Sequence, residues 1–496
     1  MTEQTRDRSE GNGAPFHASK HALFCFRSLK FLPSPYQAED QARYAIEQIN
    51  PLIMTLTARL FLFHDRMPLA YFCLSSLSLL PSTCLSPTND PSLSALDVLL
   101  KPEQRQGYID WVYEQQSPGG GFRGGDSMAA VGVGESAIHQ LSFEYNSINL
   151  VPLASQRDQD DFDRLMDYPD SDSDSHSGRG NASHMPSPAP PSKLEHPLAP
   201  ANLIQTYTAI LILGILEDDF SRLDRKALLR FIARCQNEDG SFLQFPSCPE
   251  AGDPRSTYAA FVLASMLDDW FSIDLDAALA FLITCQRPDG GFATGPRSEA
   301  QGGTTYCSIA CFSLASRLDS LPTPQDLLRS LVGKQVASFA TPPSTTSSSS
   351  SSSSISAEDP DLDPHPLAGF QGRLSKPPDA CYSFWTVASL SLISPLFERS
   401  EPSRGSEPIP SARKWYNPSM DREWLLSCQH AVYGGIARES GAMPDVYHTY
   451  LSLAALSLGS DSSSGKDLGL APLVPGWNCS VKVKEYLQQQ RRLRGK

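Results

Sequence analysis

Apolar positions along this chain fall into two alternating helical patterns. One segment of each pair is apolar along a single stripe and leads through Gln, usually Cys-Gln, into a turn. The copies are YEQQSPGGGF up to Phe122, FIARCQNEDGSF up to Phe242, FLITCQRPDGGF up to Phe292 and WLLSCQHAVYGGI up to Ile436. The other segment is apolar on nearly every side, as in STYAAFVLASML and TYCSIACFSLASRL. LLRSLVGKQ, ending at Gln335, is a weaker copy, and Gln236, Gln286 and Gln335 stand about 50 residues apart, within the period range of helical repeat arrays. A striped helix lies at a surface and a helix apolar all round is buried all round, so amphipathic helices should ring an inner circle of apolar ones. The expected fold is all-α: an α/α toroid, an α6/α6-type barrel of helical-hairpin repeats.

Three stretches interrupt the period with compositions that cannot build a core. They are residues about 155–200, rich in Asp, Ser and Pro, about 338–366 with its serine run, and about 399–413, polar and Pro-rich. Disordered insertions are expected there, a disordered N-terminus over 1–20, one barrel domain over 21–486 and a basic tail over 487–496. A length of 496 residues fits one repeat body as well as several domains, and 40% hydrophobic content is ample for a core. The net charge of −14 argues against nucleic acid as a partner. The charged start MTEQTRDRSEGNG has no apolar leader core, and no segment reaches the roughly 18 unbroken apolar residues of a membrane span. A soluble, cytoplasmic protein is expected. Eleven cysteines scattered through apolar runs read as reduced, mostly buried thiols. Cys235, Cys285 and Cys428 recur with the repeat and are assigned to packing.

Chemistry concentrates where inner helices begin. KPPDACYSFW places Asp379 and Cys381 at one helix start, and MPDVYHTYLS places His448 at another. A carboxylate, a thiolate and an imidazole make a three-ligand zinc site with a fourth position open, the arrangement of a catalytic metal. Asp379 and Asp445 are N-cap types, which puts Cys381 and His448 in first turns at the same end of the ring. Arg373 and Lys376, just ahead of Asp379, suit a polyanion such as a diphosphate, as do helix N-termini.

These blocks, GFQGRLSKPPDACYSFW paired with DVYHTY, resemble the β subunits of protein prenyltransferases, and the likeness runs from about His21 to about Gly459 outside the insertions. The resemblance implies an α/α barrel that attaches an isoprenoid to a cysteine near the C-terminus of small GTPases. It implies Asp379, Cys381 and His448 as ligands of one zinc per β subunit, and Arg373, Lys376 and Tyr382 as diphosphate-binding residues. Arg255 matches an arginine near the substrate's C-terminal carboxylate, and Tyr207 and Trp385 match aromatics of the isoprenoid cavity. Phe72 and Tyr447 match positions facing the peptide. Gln301 stands where the family commonly has a histidine in the diphosphate site, and Asn202 where one is common near the peptide terminus. An α subunit that supplies a lysine to the diphosphate is the implied partner.

Within the family, Pro68 and Leu451 replace large aromatics that close the farnesyl cavity, which implies room for a 20-carbon chain. Arg438 replaces an aspartate that helps bind magnesium in farnesyl enzymes, so magnesium is not expected to be required. Both point to geranylgeranyl type I and its CaaX substrates, with geranylgeranyl diphosphate as donor. Tyr447 looks more like the farnesyl branch, and the Rab-type β subunit is a further alternative. A class II terpene cyclase shares the barrel but needs an Asp-x-Asp-Asp motif, which LEDDF at Leu216 lacks. A non-catalytic scaffold explains the repeats but not the triad.

Overall fold

The computed structural model describes residues 15–30, 66–124, 200–338, 367–397, 411–460 and 468–495. Along the chain run α1 (Ala18–Lys30), α2 (Arg66–Leu79), the short α3 (Ala95–Leu99), α4 (Pro102–Glu114) and α5 (Leu203–Ile215). Next come α6 (Arg225–Arg234), α7 (Pro254–Leu267), α8 (Leu275–Thr284), α9 (Gly302–Leu314) and α10 (Pro324–Val332). Then follow α11 (Ala380–Ile393), α12 (Pro418–Ser427), α13 (Val446–Gly459), α14 (Val481–Gln489) and α15 (Arg491–Arg494). Three short antiparallel pairs accompany them: β1 (Gln335–Ser338) with β2 (Leu367–Phe370), β3 (Ile436–Ala437) with β4 (Pro444–Asp445), and β5 (Leu473–Val474) with β6 (Cys479–Ser480).

Helices α2, α5, α7, α9, α11 and α13 each pack on the next, and α13 packs back on α2, closing an inner ring. They are buried nearly all round; every residue of α5 except Ile204 is buried. Outer helices bury one stripe only, Ala227, Leu228, Phe231 and Ile232 in α6. The periodicity therefore translates directly into layers, and the α/α toroid is the observed fold.

The repeated glutamine fastens one outer helix to the next. Gln236 exchanges hydrogen bonds of 2.8 Å with both backbone groups of Asp274, the N-cap of α8. Gln116 does the same at Asp224 and Arg222 ahead of α6, Gln286 donates to Pro322 ahead of α10, and Gln335 pairs with Asn417, the N-cap of α12. The last copy, Gln429, accepts from the His17 amide at 3.0 Å and donates to the Pro15 carbonyl, so it closes the outer ring on α1 across 412 residues. Glycine in these turns is a spatial requirement: at Gly240 (φ +86°) a Cβ would lie 2.1 Å from the Ala277 carbonyl oxygen of the next outer helix.

One end of the inner ring is plugged by the hairpin between β5 and β6. Trp477 donates to Ser265 in the last turn of α7, and Gly476 lies against Leu314 and Leu392 at the ends of α9 and α11. The plug's carbonyls accept from inner-helix tyrosines: Pro475 from Tyr306 at 2.7 Å, Gly476 from Tyr258 at 3.2 Å, Asn478 from Tyr450 at 2.6 Å and from Tyr71.

The expected insertions fall almost wholly outside the described residues, as does most of the expected disordered N-terminus. Residues 411–413, the end of the third, instead form a 3-10 turn whose Arg413 guanidinium donates to the Gly459 carbonyl. The basic tail is docked on the barrel: Leu493 is fully buried, Arg492 pairs with Asp219 at 2.8 Å and Arg494 with Asp268 at 2.6 Å. Its charge reads as a tail in sequence because the acids that balance it lie more than 200 residues away. No helix among the described residues is long and apolar enough to cross a membrane.

Candidate metal centre

The open end of the ring is built from the starts of the inner helices. Asp379 caps α11, its Oδ1 accepting from the Cys381 amide at 3.0 Å. Asp445 caps α13, its Oδ1 accepting from the His448 amide at 2.9 Å. The two helices are neighbours in the ring, so Asp379, Cys381 and His448 converge, and their candidate ligand atoms all lie within 4.8 Å of one another. His448 Nε2 is 3.3 Å from Asp379 Oδ1.

The second ring nitrogen fixes the imidazole. His448 Nδ1 lies 2.6 Å from Asp445 Oδ2, so a proton held on Nδ1 by that carboxylate would leave Nε2, which faces Asp379, as the ring's ligating atom once a metal displaces its proton. Carboxylate behind histidine is the support that metal-ligating imidazoles usually have. Sequence reasoning took Asp445 for a cap alone; the Asp-x-x-His spacing at a helix start is the signal that could have given it the second role. Burial disfavours the imidazolium, but the hydrogen bonds to Asp379 and Asp445 outweigh it and raise the His448 pKa to about 12. The Cys381 thiol, 5% exposed, is pushed up to about 12 by burial. Oxygen, sulfur and nitrogen donors gathered in one half-enclosed corner, with the imidazole already oriented, fit a zinc ion.

Beside this cluster Tyr382 packs against the backbone next to Gln301 and Arg373. Gly372 and Gly302 press against its ring, where a Cβ on either would approach to 2.0 and 2.8 Å, and the Gly302 amide donates to the Gly372 carbonyl at 2.9 Å. That contact joins the start of α9, with Gln301 in the cap position, to the turn carrying Arg373 and Lys376. Burial pushes the Tyr382 hydroxyl up to about 12, so it stays protonated and able to donate. Lys376 is exposed, and Arg373 is paired at 3.5 Å with Glu299, a residue that no sequence signal marks. The Arg438 carbonyl accepts from the Ala380 amide at 2.9 Å, which brings that arginine to the start of α11; its guanidinium pairs with Glu439 at 2.6 Å.

The aromatic candidates form a belt inside the ring. Tyr207 contacts Tyr71 and Tyr258, Trp385 contacts Tyr306 at 5.0 Å, and Phe72 contacts Tyr447 at 5.3 Å. Pro68 is half-buried in the first turn of α2, and Leu451 is fully buried in the adjacent α13. Asn202 and Arg255 sit at the starts of α5 and α7. Among the described residues neither shares a hydrogen bond with the triad. Asn202 caps its helix at the Ile204 amide and donates to Gln244, while Arg255 pairs with its own N-cap Asp253 at 2.6 Å.

Comparison with known proteins bears on the family and the fold. The geranylgeranyl transferase type-1 subunit beta of Dictyostelium discoideum is 31% identical over 256 residues, 51% of this chain and 59% of that protein. The Arabidopsis thaliana protein of the same name is 34% identical over 275 residues, 55% of this chain and 62% of that one. The protein farnesyltransferase subunit beta of Schizosaccharomyces pombe is 28% identical over 259 residues, 52% and 58% of the two chains. The matched part of the chain thus spans 59% to 62% of the length of the two geranylgeranyl relatives. Candida albicans protein geranylgeranyltransferase-I complexed with GGPP shares the fold, with a TM-score of 0.57, 19% identity and coverage of 95% of this chain and 98% of that one. The prenyltransferase alpha-alpha toroid domain matches residues 51–479, and the chain belongs to that family.

Proposed function

We propose that the chain is the catalytic β subunit of a protein geranylgeranyltransferase type I. It would transfer a geranylgeranyl group from geranylgeranyl diphosphate to the cysteine of C-terminal CaaX motifs, often ending in Leu, on Rho-, Rac- and Cdc42-like small GTPases. The observation that carries the reading is the Asp379–Cys381–His448 cluster; the adjoining turns and helix starts carry Gln301, Arg373, Lys376, Tyr382 and Arg438, which we read as an anion rim. Asp379, Cys381 and His448 would hold one zinc ion, which when bound supplies a Lewis acid that keeps a thiol ionised at neutral pH. The substrate sulfur forms its bond to C1 of the isoprenoid as the bond from C1 to the diphosphate oxygen breaks, and that oxygen leaves with the electron pair. Arg373, Lys376 and Arg438 neutralise the growing charge, and the Tyr382 hydroxyl and Gln301 amide donate hydrogen bonds to it. Tyr207 and Trp385 flank the isoprenoid; Arg255, Asn202, Phe72 and Tyr447 would face the peptide. The working enzyme would be a cytoplasmic heterodimer with a helical α subunit.

The farnesyl branch is the second reading, favoured by Tyr447 and by the 28% identity to a farnesyltransferase subunit. Donor competition with the reconstituted heterodimer decides between them, and Pro68→Trp tests the reason. The extra ring should exclude the terminal isoprene, worth on the order of 3 kcal/mol, and move the ratio of kcat/KM toward farnesyl diphosphate about a hundredfold. An unchanged ratio in a folded variant would remove Pro68 from the isoprenoid site.

A further inference from the structure

The Cys-Gln pairs bury a thiol at Cys235, Cys285 and Cys428, each at most 2% exposed. In the hairpin that ends at Gln335 the same position holds Lys334, 3% exposed. A buried cation is costly unless paired, yet among the described residues the Lys334 ammonium makes no hydrogen bond or ion pair. Burial holds its pKa below the usual lysine range, and the charges of Asp289 and Glu299 act against that effect. Asp289 is occupied, its Oδ1 accepting from the Gly291 amide at 3.1 Å. Glu299 is 60% exposed, two residues ahead of Gln301, and its Oε2 stands 3.5 Å from the Arg373 guanidinium. Lys334 is also tied to the turn that carries Arg373, since its carbonyl accepts from the Gln371 amide at 2.9 Å. One surface carboxylate thus pairs with a rim arginine and acts electrostatically on a buried lysine.

We propose that Glu299 is an exchangeable counter-ion that positions Arg373, pairing with it when the rim is empty and passing to Lys334 when a diphosphate takes the arginine. The inference rests on Arg373 as a diphosphate-binding residue. Glu299 stabilises the empty rim and Lys334 the occupied one, so their removal has opposite consequences. Glu299 also competes for Arg373 once the donor bond is broken, which favours release of the leaving diphosphate. Both are positioning residues, because neither needs to touch the reacting carbon.

The test is calorimetric binding of inorganic diphosphate to the full-length chain. Glu299→Gln should tighten binding about tenfold, since a like charge within several ångströms of a polyanion is removed. Glu299→Asp should stay near wild type, and Lys334→Met should weaken binding severalfold. Equal affinities, or shifts of the same sign in Glu299→Gln and Lys334→Met, would overturn the exchange. If Lys334→Met does not fold, the surface variants decide alone: Glu299→Gln no tighter than Glu299→Asp overturns it. Wild-type binding that Arg373→Gln abolishes but Glu299→Gln leaves unchanged removes only the exchange. Absence of diphosphate binding in wild type removes the anion-site reading as well.

Discussion

The two ends of the inner ring handle buried polar groups in opposite ways. At the plugged end, tyrosine hydroxyls from α2, α7, α9 and α13 meet main-chain carbonyls of Pro475, Gly476 and Asn478, neutral partners that neither titrate nor exchange. At the open end, Asp379, Asp445 and His448 share their bonds with one another, and Arg373 and Arg438 pair with the half-exposed Glu299 and Glu439. Neutral donor-to-carbonyl bonds hold a shape. Charged groups paired with one another or with half-exposed acids keep a capacity to take a cation or an anion that the neutral bonds of the plugged end lack.

A structural titrating group on the open side gives the largest expected effect of this contrast on stability. His21 closes the outer ring: the Gly435 amide donates to its Nδ1 at 3.0 Å, and its Nε2 lies 2.8 Å from Gln429 Oε1, a neutral tautomer with both nitrogens used. Burial, outweighing the bond to Gln429, lowers its pKa from 6.5 to about 4. The unfolded chain therefore takes up the proton first, and stability present above about pH 6.5 is lost as pH falls toward 4. The loss should reach about 3 kcal/mol, since each pH unit between the unfolded and folded pKa values is worth about 1.4 kcal/mol. Chemical unfolding from pH 7 to 4, wild type against His21→Gln, should show the advantage of wild type shrinking by that amount; a constant difference would contradict the neutral assignment.

Asp445→Asn separates the two tasks of that residue. Asparagine caps helices as well as aspartate, so α13 should keep its stability, while loss of the carboxylate behind His448 should weaken metal affinity about 10- to 100-fold. Competition with a chelator measures the affinity. An unchanged affinity would return Asp445 to a cap alone. At the plugged end Tyr306→Phe removes two neutral hydrogen bonds, to the Pro475 carbonyl and with the Tyr258 hydroxyl, and should cost about 2 kcal/mol at the usual worth of about 1 kcal/mol each while leaving metal affinity untouched. A large loss of metal affinity there would mean the two ends are coupled.

Local signals carried much of this. Stripe width separated inner from outer helices, and Asp379 and Asp445 announced their helix starts because a cap residue needs only its own next turn. Cys381 and His448 were legible because both lie in such first turns. The plug was not, since LVPGWNCS forms strands of two residues and gains its meaning from tyrosines contributed by other repeats. Gln429 looked like its sister glutamines, and nothing local says that its partners are Pro15, His17 and His21. Glu299 was silent for the same reason: its ion pair with Arg373 joins two turns that share no sequence period.

The functional reading requires that Cys381, and not a repeat cysteine, belongs to a metal site. Titrating the full-length chain with cobalt(II) as a spectroscopic stand-in for zinc tests that requirement at the metal itself. One equivalent should bind with a thiolate-to-cobalt charge-transfer band that is lost in Cys381→Ser and kept in Cys428→Ser. A band that survives in Cys381→Ser, or that disappears with Cys428, would refute it.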